Sequence, residues 1–421
     1  MLSYLELDYE VSSEGKSVLT GTAQLPIPPG MKASIRIPAE RAPLKAGDSF
    51  VNLHFRYREA TAFSETGYEM ALIQLPIPAM MCSSTSGGDS AADRLEEKRT
   101  ERMDQNAVLV TEAGHELILS AENCTVVFNT VTGELERAKS GESPILLSGP
   151  RLVMDRPVID NDMYKGPDWY GKYFLQCCEE DLEAFAWRSI EDGVRISVDT
   201  VFAPVSQCFG FRAAYRYLFR RDGTLTLDLA LYGYHHSSFY PEFIPRIGIE
   251  MQLPDEFRKV TWYGRGPIEN YPDMRAGATI GIWARSVEEM AEGYIKPQEN
   301  GHRCDTRWIA LSDREHGWRE LIVASEPPIG FDARDCSIPD LSGAAHREEI
   351  PHRDRIYLHL DAMHTGLGIN SCGEEQTWEN KTRLNDYHMR IALSMKGSKE
   401  TEIEVLSRCQ KALRGFQKNE D

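Results

Sequence analysis

Apolar and polar residues alternate with a period of two over most of this chain. Near its start Leu5, Leu7, Tyr9 and Val11 share one face, while Glu6, Asp8 and Glu10 take the other. Val51, Leu53, Phe55 and Tyr57 repeat the pattern against Asn52, His54, Arg56 and Arg58, and Ala33, Ile35 and Ile37 make a third run. Successive side chains of a strand point to opposite faces, so such runs predict half-buried strands. Pro28-Pro29-Gly30 and Lys45-Ala46-Gly47-Asp48 read as turns between them. Residues 1–80 are therefore expected to form a small β-sandwich.

The pattern stops between Cys82 and Asn106. Ser83 to Ser90 is small and polar, and Asp93 to Asp104 is charged with almost no apolar content, so residues 81–106 read as a linker. Alternation resumes in residues 107–421. Leu117, Leu119 and Ala121 open it, and Asn129 to Gly133 reads as a hairpin turn. Tyr215, Tyr217 and Phe219 lead to Arg221-Asp222-Gly223, from which Leu225, Leu227, Leu229 and Leu231 return. Asp-Gly between two alternating runs is a strong hairpin signal. Further strands are expected through Ile247, Ile249 and Met251, through Ile356, Leu358 and Leu360, and through Ile391, Leu393 and Met395. Val287 to Glu292 is the only helical candidate, and no internal repeat is visible. The fold class is all-β, in two domains of unequal size.

Composition narrows the partners. Forty-seven basic residues against 65 acidic ones give a net charge of −18 over 421 residues, which argues against nucleic acid and anionic membranes and is compatible with neutral sugars. No apolar run reaches the length of a spanning helix. Met1-Leu2-Ser3-Tyr4 runs straight into a strand pattern without a basic leader, so no signal peptide is expected. Nine cysteines without Cys-x-x-Cys spacing fit reduced thiols and a cytoplasmic location. His235-His236 lacks further ligands at metal spacing. The sequons at Asn123 and Asn380 read as chance matches.

The densest chemistry lies in two blocks. Trp262-Tyr263-Gly264-Arg265-Gly266-Pro267-Ile268-Glu269-Asn270-Tyr271-Pro272-Asp273-Met274-Arg275 is followed by Pro297-Gln298-Glu299-Asn300-Gly301-His302-Arg303. Gly264-Arg265-Gly266 is no dinucleotide loop, because Pro267 follows at once and Glu269 stands where the third glycine belongs. The two blocks resemble the WYGRGPxENYxDR and PQENGxR segments at the C-terminal end of bacterial lac-type β-galactosidases, glycoside hydrolase family 2. That resemblance implies a super-sandwich related in shape to galactose mutarotases for residues 107–421. It implies an immunoglobulin-like domain for residues 1–80, where Glu59 to Gly67 is the closest piece and the match begins inside that domain's first strands.

In the resembling family both catalytic glutamates and the magnesium ligands lie in a (β/α)8 barrel upstream. No alternating strand–helix pattern is present here, so no catalytic residue is assigned, and Mg2+ and Na+ are expected only with that barrel. A retaining glycosidase needs two carboxylates about 5–5.5 Å apart, and counting acids does not find them. The resemblance does imply one wall of the sugar pocket. Arg156 to Tyr164 resembles the family's APxDND loop, which makes Asp160, Asn161, Asp162 and the following Trp169 candidate sugar contacts. Leu360 to Gly373 resembles the DxxHxGxG stretch, which adds His364, and Cys372 where some members carry a stacking tryptophan; Trp378 follows shortly after. Glu269, Asn270 and Arg275, with Asp273, Asn300 and Arg303, make a candidate polar pit. Each has a plainer reading: Asp160 and Asp162 as turn caps, Trp169 as core, His364 as a hydrogen-bonded scaffold residue, and the pit as a paired ion network.

Two functions follow. The first is the C-terminal portion or small subunit of a β-galactosidase, partnered by a barrel-bearing chain or by self-association and acting on a galactoside. The alternative is a stand-alone carbohydrate-binding or mutarotase-like protein, for which His302, His364 and Glu269 are the available acid and base groups.

Overall fold

The computed structural model describes residues 2–44, 48–78, 107–313, 319–397 and 399–417. The expected linker at 81–106 and most of the expected turn at 45–48 lie outside the described residues. The chain is all-β and divides into two compact units, Met1–Ser90 with Thr279–Ile282, and Ala91–Ala278 with Trp283–Asp421.

Among the described residues the smaller unit has one four-stranded sheet of β1 (Leu5–Ser13), β2 (Lys16–Gln24), β3 (Ser49–Tyr57) and β4 (Glu69–Pro76), ordered β2-β1-β3-β4. Leu7 stands opposite Ala23 on one side and Phe55 on the other, antiparallel in both pairs. Glu14 and Gly15, both at positive φ, make the two-residue turn whose twist matches β1 and β2. Leu5, Leu7 and Val11 are buried as their alternation predicts. Their cover comes from Leu25, Ala39, Leu44 and Ile77. The third alternating run, Ala33 to Ile37, forms no strand. Residues 31–36 are exposed, and without a neighbouring ladder alternation alone does not make a strand.

In the larger unit β5 (Leu109–Ala113), β6 (Glu116–Ala121), β7 (Cys124–Asn129), β8 (Leu135–Ser140) and β9 (Ser143–Leu146) form a five-stranded meander. Among the described residues the other sheet has twelve strands. They are β10 (Ser148–Val153), β11 (Cys178–Ile190), β12 (Gly193–Pro204), β13 (Phe209–Arg220), β14 (Leu225–His235), β15 (Arg246–Pro254), β16 (Lys259–Gly266), β17 (Thr279–Ser286), β18 (Arg303–Ser312), β19 (Glu320–Arg334), β20 (Arg355–His364) and β21 (Tyr387–Lys396). Its main path runs β10-β15-β20-β19-β21-β14-β13-β12-β11, and β18 joins it through β19. The Asp222-Gly223 hairpin forms with Phe219 opposite Leu225 and Gly223 at φ 73°. The two sheets share one core, in which the Phe128 ring of β7 meets Tyr217 of β13 edge-on at 5.0 Å.

Among the described residues three α-helices accompany the sheets: α1 (Val287–Met290), α2 (Ile338–Gly343) and α3 (Glu402–Gln417). The last two correct the expectation of a single helical segment. Val405, Cys409, Ala412, Leu413 and Phe416 recur at helical spacing and are buried. The Thr401 hydroxyl accepts from the Glu404 amide at 3.3 Å and the Glu404 carboxylate accepts from the Thr401 amide at 2.7 Å, a reciprocal cap that starts α3. Among the described residues no helix is long and apolar enough to cross a membrane.

Candidate functional site

Three loops at strand ends are fastened to one another. They are residues 154–177 after β10, residues 267–278 after β16, and residues 365–386 between β20 and β21. The fully buried Arg156 is the first fastening: Nη2 donates to Asp162 Oδ1 at 2.8 Å, Nε to Asp162 Oδ2 at 3.3 Å, and Nη1 to the Thr365 carbonyl at 2.7 Å. Asn161 is the second, donating to the Gly368 carbonyl at 2.8 Å and accepting from the Ser371 amide at 3.2 Å. Asp273 is the third: its two carboxylate oxygens accept from the amides of Leu367 and Gly368 at 2.9 and 2.7 Å. A Cβ on Gly366 would meet the Asp273 carboxyl carbon at 2.4 Å, so the glycine is what lets the turn close on that side chain.

The sequence-predicted residues separate into two groups. Asp160 and Cys372 are exposed, and Asn161 and Arg275 are partly so. Tyr164, Ile369 and Trp378 add exposed side chains on the same loops. Asp162, Trp169, Glu269, Asn270 and His364 are buried. Trp169, 1% exposed, donates its indole N–H to the Phe243 carbonyl at 2.9 Å and forms the floor of a cleft of about 440 Å3 beside Lys165, Tyr240 and Glu242, so it offers no open ring face. Glu269 accepts from the Tyr294 hydroxyl and from the Gly301 amide at 2.8 Å. Asn270 accepts from the Cys304 amide at 2.8 Å through its side chain and from His302 Nδ1 at 2.9 Å through its carbonyl. These bonds bind the two sequence blocks together. Arg275 lies 3.7 Å from Asp305, which also holds Arg265.

His302 and His364 are 1% and 2% exposed, with ring centroids 4.6 Å apart and Tyr271 packed on both. Burial, together with the charges of His302, Arg156 and Arg246, holds the His364 imidazole neutral, its pKa well below the ordinary value. The acid and base groups His302, His364 and Glu269 are therefore not presented to a solvent-borne sugar. That removes the arrangement on which the mutarotase-like alternative depended.

Behind the loops lies a charge network that sequence reasoning missed. Arg246 donates to Asp361 from Nε at 2.9 Å and from Nη2 at 2.6 Å, and from Nη2 to Asp332 at 3.1 Å. Arg334 donates to Asp332 at 2.8 Å and to Glu299 at 3.1 Å. His359 donates to Asp332 at 2.8 Å and to Glu250 at 3.1 Å. Burial opposes the charged form of His359, but the Asp332 carboxylate, with help from Glu250, outweighs it and raises the pKa to about 9. Among the described residues no cluster of His, Cys, Asp and Glu has the spacing to hold a metal ion.

Comparison with known proteins gives the family. Residues 120–393 match the family model described as beta galactosidase small chain, and residues 1–78 match that of beta-galactosidase domain 4. The chain belongs to the β-galactosidase small-chain family. Similar relatives include the β-galactosidases of Vibrio vulnificus (strain CMCP6), 25% identical over 92% of this chain and 36% of the relative, and of Priestia megaterium, 27% identical over 80% and 30%. That of Vibrio cholerae is 30% identical over 61% of this chain and 24% of its own length. The chain thus spans about a third or less of the curated relatives it matches. Among solved structures, the galactose mutarotase related enzyme of Lactobacillus acidophilus aligns with 69% of this chain and 98% of its own at 9% identity and a TM-score of 0.37.

Proposed function

We propose that the three fastened loops form one wall of a β-galactosidase active site, whose catalytic carboxylates come from a barrel-bearing partner or segment. The chain acts there as the C-terminal portion or small subunit, completing the pocket for a terminal β-D-galactoside. Asp160, Asn161 and Cys372 face the sugar; Asp162, Glu269, Asn270 and His364 hold the loops that carry them; Arg275 stands at the edge. The observation that carries this reading is the triple fastening through Arg156, Asn161 and Asp273. It fixes an exposed rim of hydrogen-bonding groups on a rigid base, as a preorganised binding wall requires. Unpaired thiols and an acidic surface suit a cytoplasmic assembly acting on a neutral sugar.

The test is complementation. Mixing this chain with the matching large polypeptide should raise nitrophenyl-galactoside hydrolysis above that of the large polypeptide alone, with sizing chromatography showing a joint complex. No gain in activity despite complex formation would overturn the proposal.

A further inference from the structure

A second recess lies away from the three-loop rim, between α1, α2 and the Pro297–Gly301 turn, with a volume of about 200 Å3. Val287, Met290 and Leu341 give it an apolar wall, the partly exposed Tyr294 adds an aromatic one, and Arg334 belongs to its lining. Arg334 is 6% exposed, and its Nη1 has no hydrogen-bond partner although Nε and Nη2 are bonded. A buried charged donor left without an acceptor is costly, so a ligand bringing one is favoured. The volume falls below the roughly 300–1,000 Å3 of drug-sized sites, which limits the guest to about one sugar ring.

The charges choose between an anion and a neutral guest. Arg334 already serves Asp332 and Glu299, and His352 already pairs with Asp335 at 2.8 Å. Glu288 is likewise held by Arg258, Asp332 by Arg246 and Arg334, and Asp335 by Arg258, so among the described residues the lining charges without an ion pair are Arg347 and Glu292, one of each sign. The recess thus offers no net unpaired charge to hold an anion. A neutral guest with several hydroxyls can accept from Arg334 Nη1, donate to the Glu292 carboxylate, and lay its C–H face on Tyr294 and the aliphatic wall.

We propose that this recess binds a neutral polyhydroxyl ligand of monosaccharide size, at a site separate from the loop rim. The proposal stands whether or not the rim completes a galactosidase. Its test uses the full chain with D-galactose and D-glucose as probes and acetate as the anionic control. Calorimetry should show a sugar binding and acetate not binding, and hydrogen exchange should slow in residues 287–301 and 332–350. Ala291 is exposed at the mouth, so Ala291→Trp should weaken binding by about tenfold or more, with the unfolding midpoint unchanged. If that variant does not fold, Ile350→Trp, also in the lining, gives the same readout. Failure of both sugars to bind, protection confined to residues 160–170 and 366–376, or preferential acetate binding would each overturn the proposal.

Discussion

The rim of the three loops and the network behind it are built from the same residue types put to opposite uses. In the rim, Asp160 and Cys372 are exposed at their tips, and Asn161 spends its amide on backbone groups while staying partly open. In the network, Arg246, Asp332, Asp361 and His359 are sealed, and each charge is matched by another. The difference teaches that charge in a sequence block does not by itself mark a binding surface. Most of the charge in this unit's interior fixes strands and loops, and a few neighbours on the same loops stay open to solvent.

The largest test of that contrast is Arg246→Met. Asp332 and Asp361 would then be buried short of a counter-charge, and unfolding in urea should show a loss of about 3–5 kcal/mol. Asp162→Ala comes next, leaving the Arg156 guanidinium without its carboxylate. A loss of roughly 1.5–3 kcal/mol is expected, together with faster amide exchange at residues 365–368.

A pH series sharpens the same point. The folded pKa of His359, about 9, lies above an unfolded value of about 6.5. Its contribution is therefore fully present below pH 6.5 and lost as pH rises through 9. Stability should decline across that window, and His359→Gln should make the decline shallower; an unchanged slope would count against a charged His359. The smallest effect belongs to the rim: Asp160→Ala should change stability by no more than about 0.5 kcal/mol. In the complemented enzyme it should nevertheless raise KM for a galactoside, and equal effects on stability and KM would erase the distinction between rim and network.

Strand faces were legible from alternation where one face met the core, as at Leu117 to Ala121. Alternation misled at Ala33 to Ile37, since nothing local announces whether a ladder partner exists. It also hid the network. β20 reads as Ile356, Leu358 and Leu360 inward with Tyr357, His359 and Asp361 outward, yet both faces of this central strand are buried. A charged residue on the second face of a strand otherwise rich in Leu and Ile was the available signal, and Arg246 in β15 carries it too. The helix at Glu402–Gln417 was readable from Thr401-x-x-Glu404 ahead of apolar spacings of four and three, but Arg and Lys between them blurred the stripe. The loop candidates were found as a group from the sequence blocks; which of them are open and which are shut is set by partners some 200 residues away, as between Arg156 and Thr365.

Gly366 divides its loop into a fixed stem and a tip free to vary. Because the Asp273 carboxylate fills the space where a side chain would stand, the stem admits almost no substitution, whereas residues 369–374 beyond it are exposed or nearly so. A library confined to that tip would therefore vary the exposed surface without loosening its mount, which makes this turn the place to test whether the proposed wall sets a sugar preference.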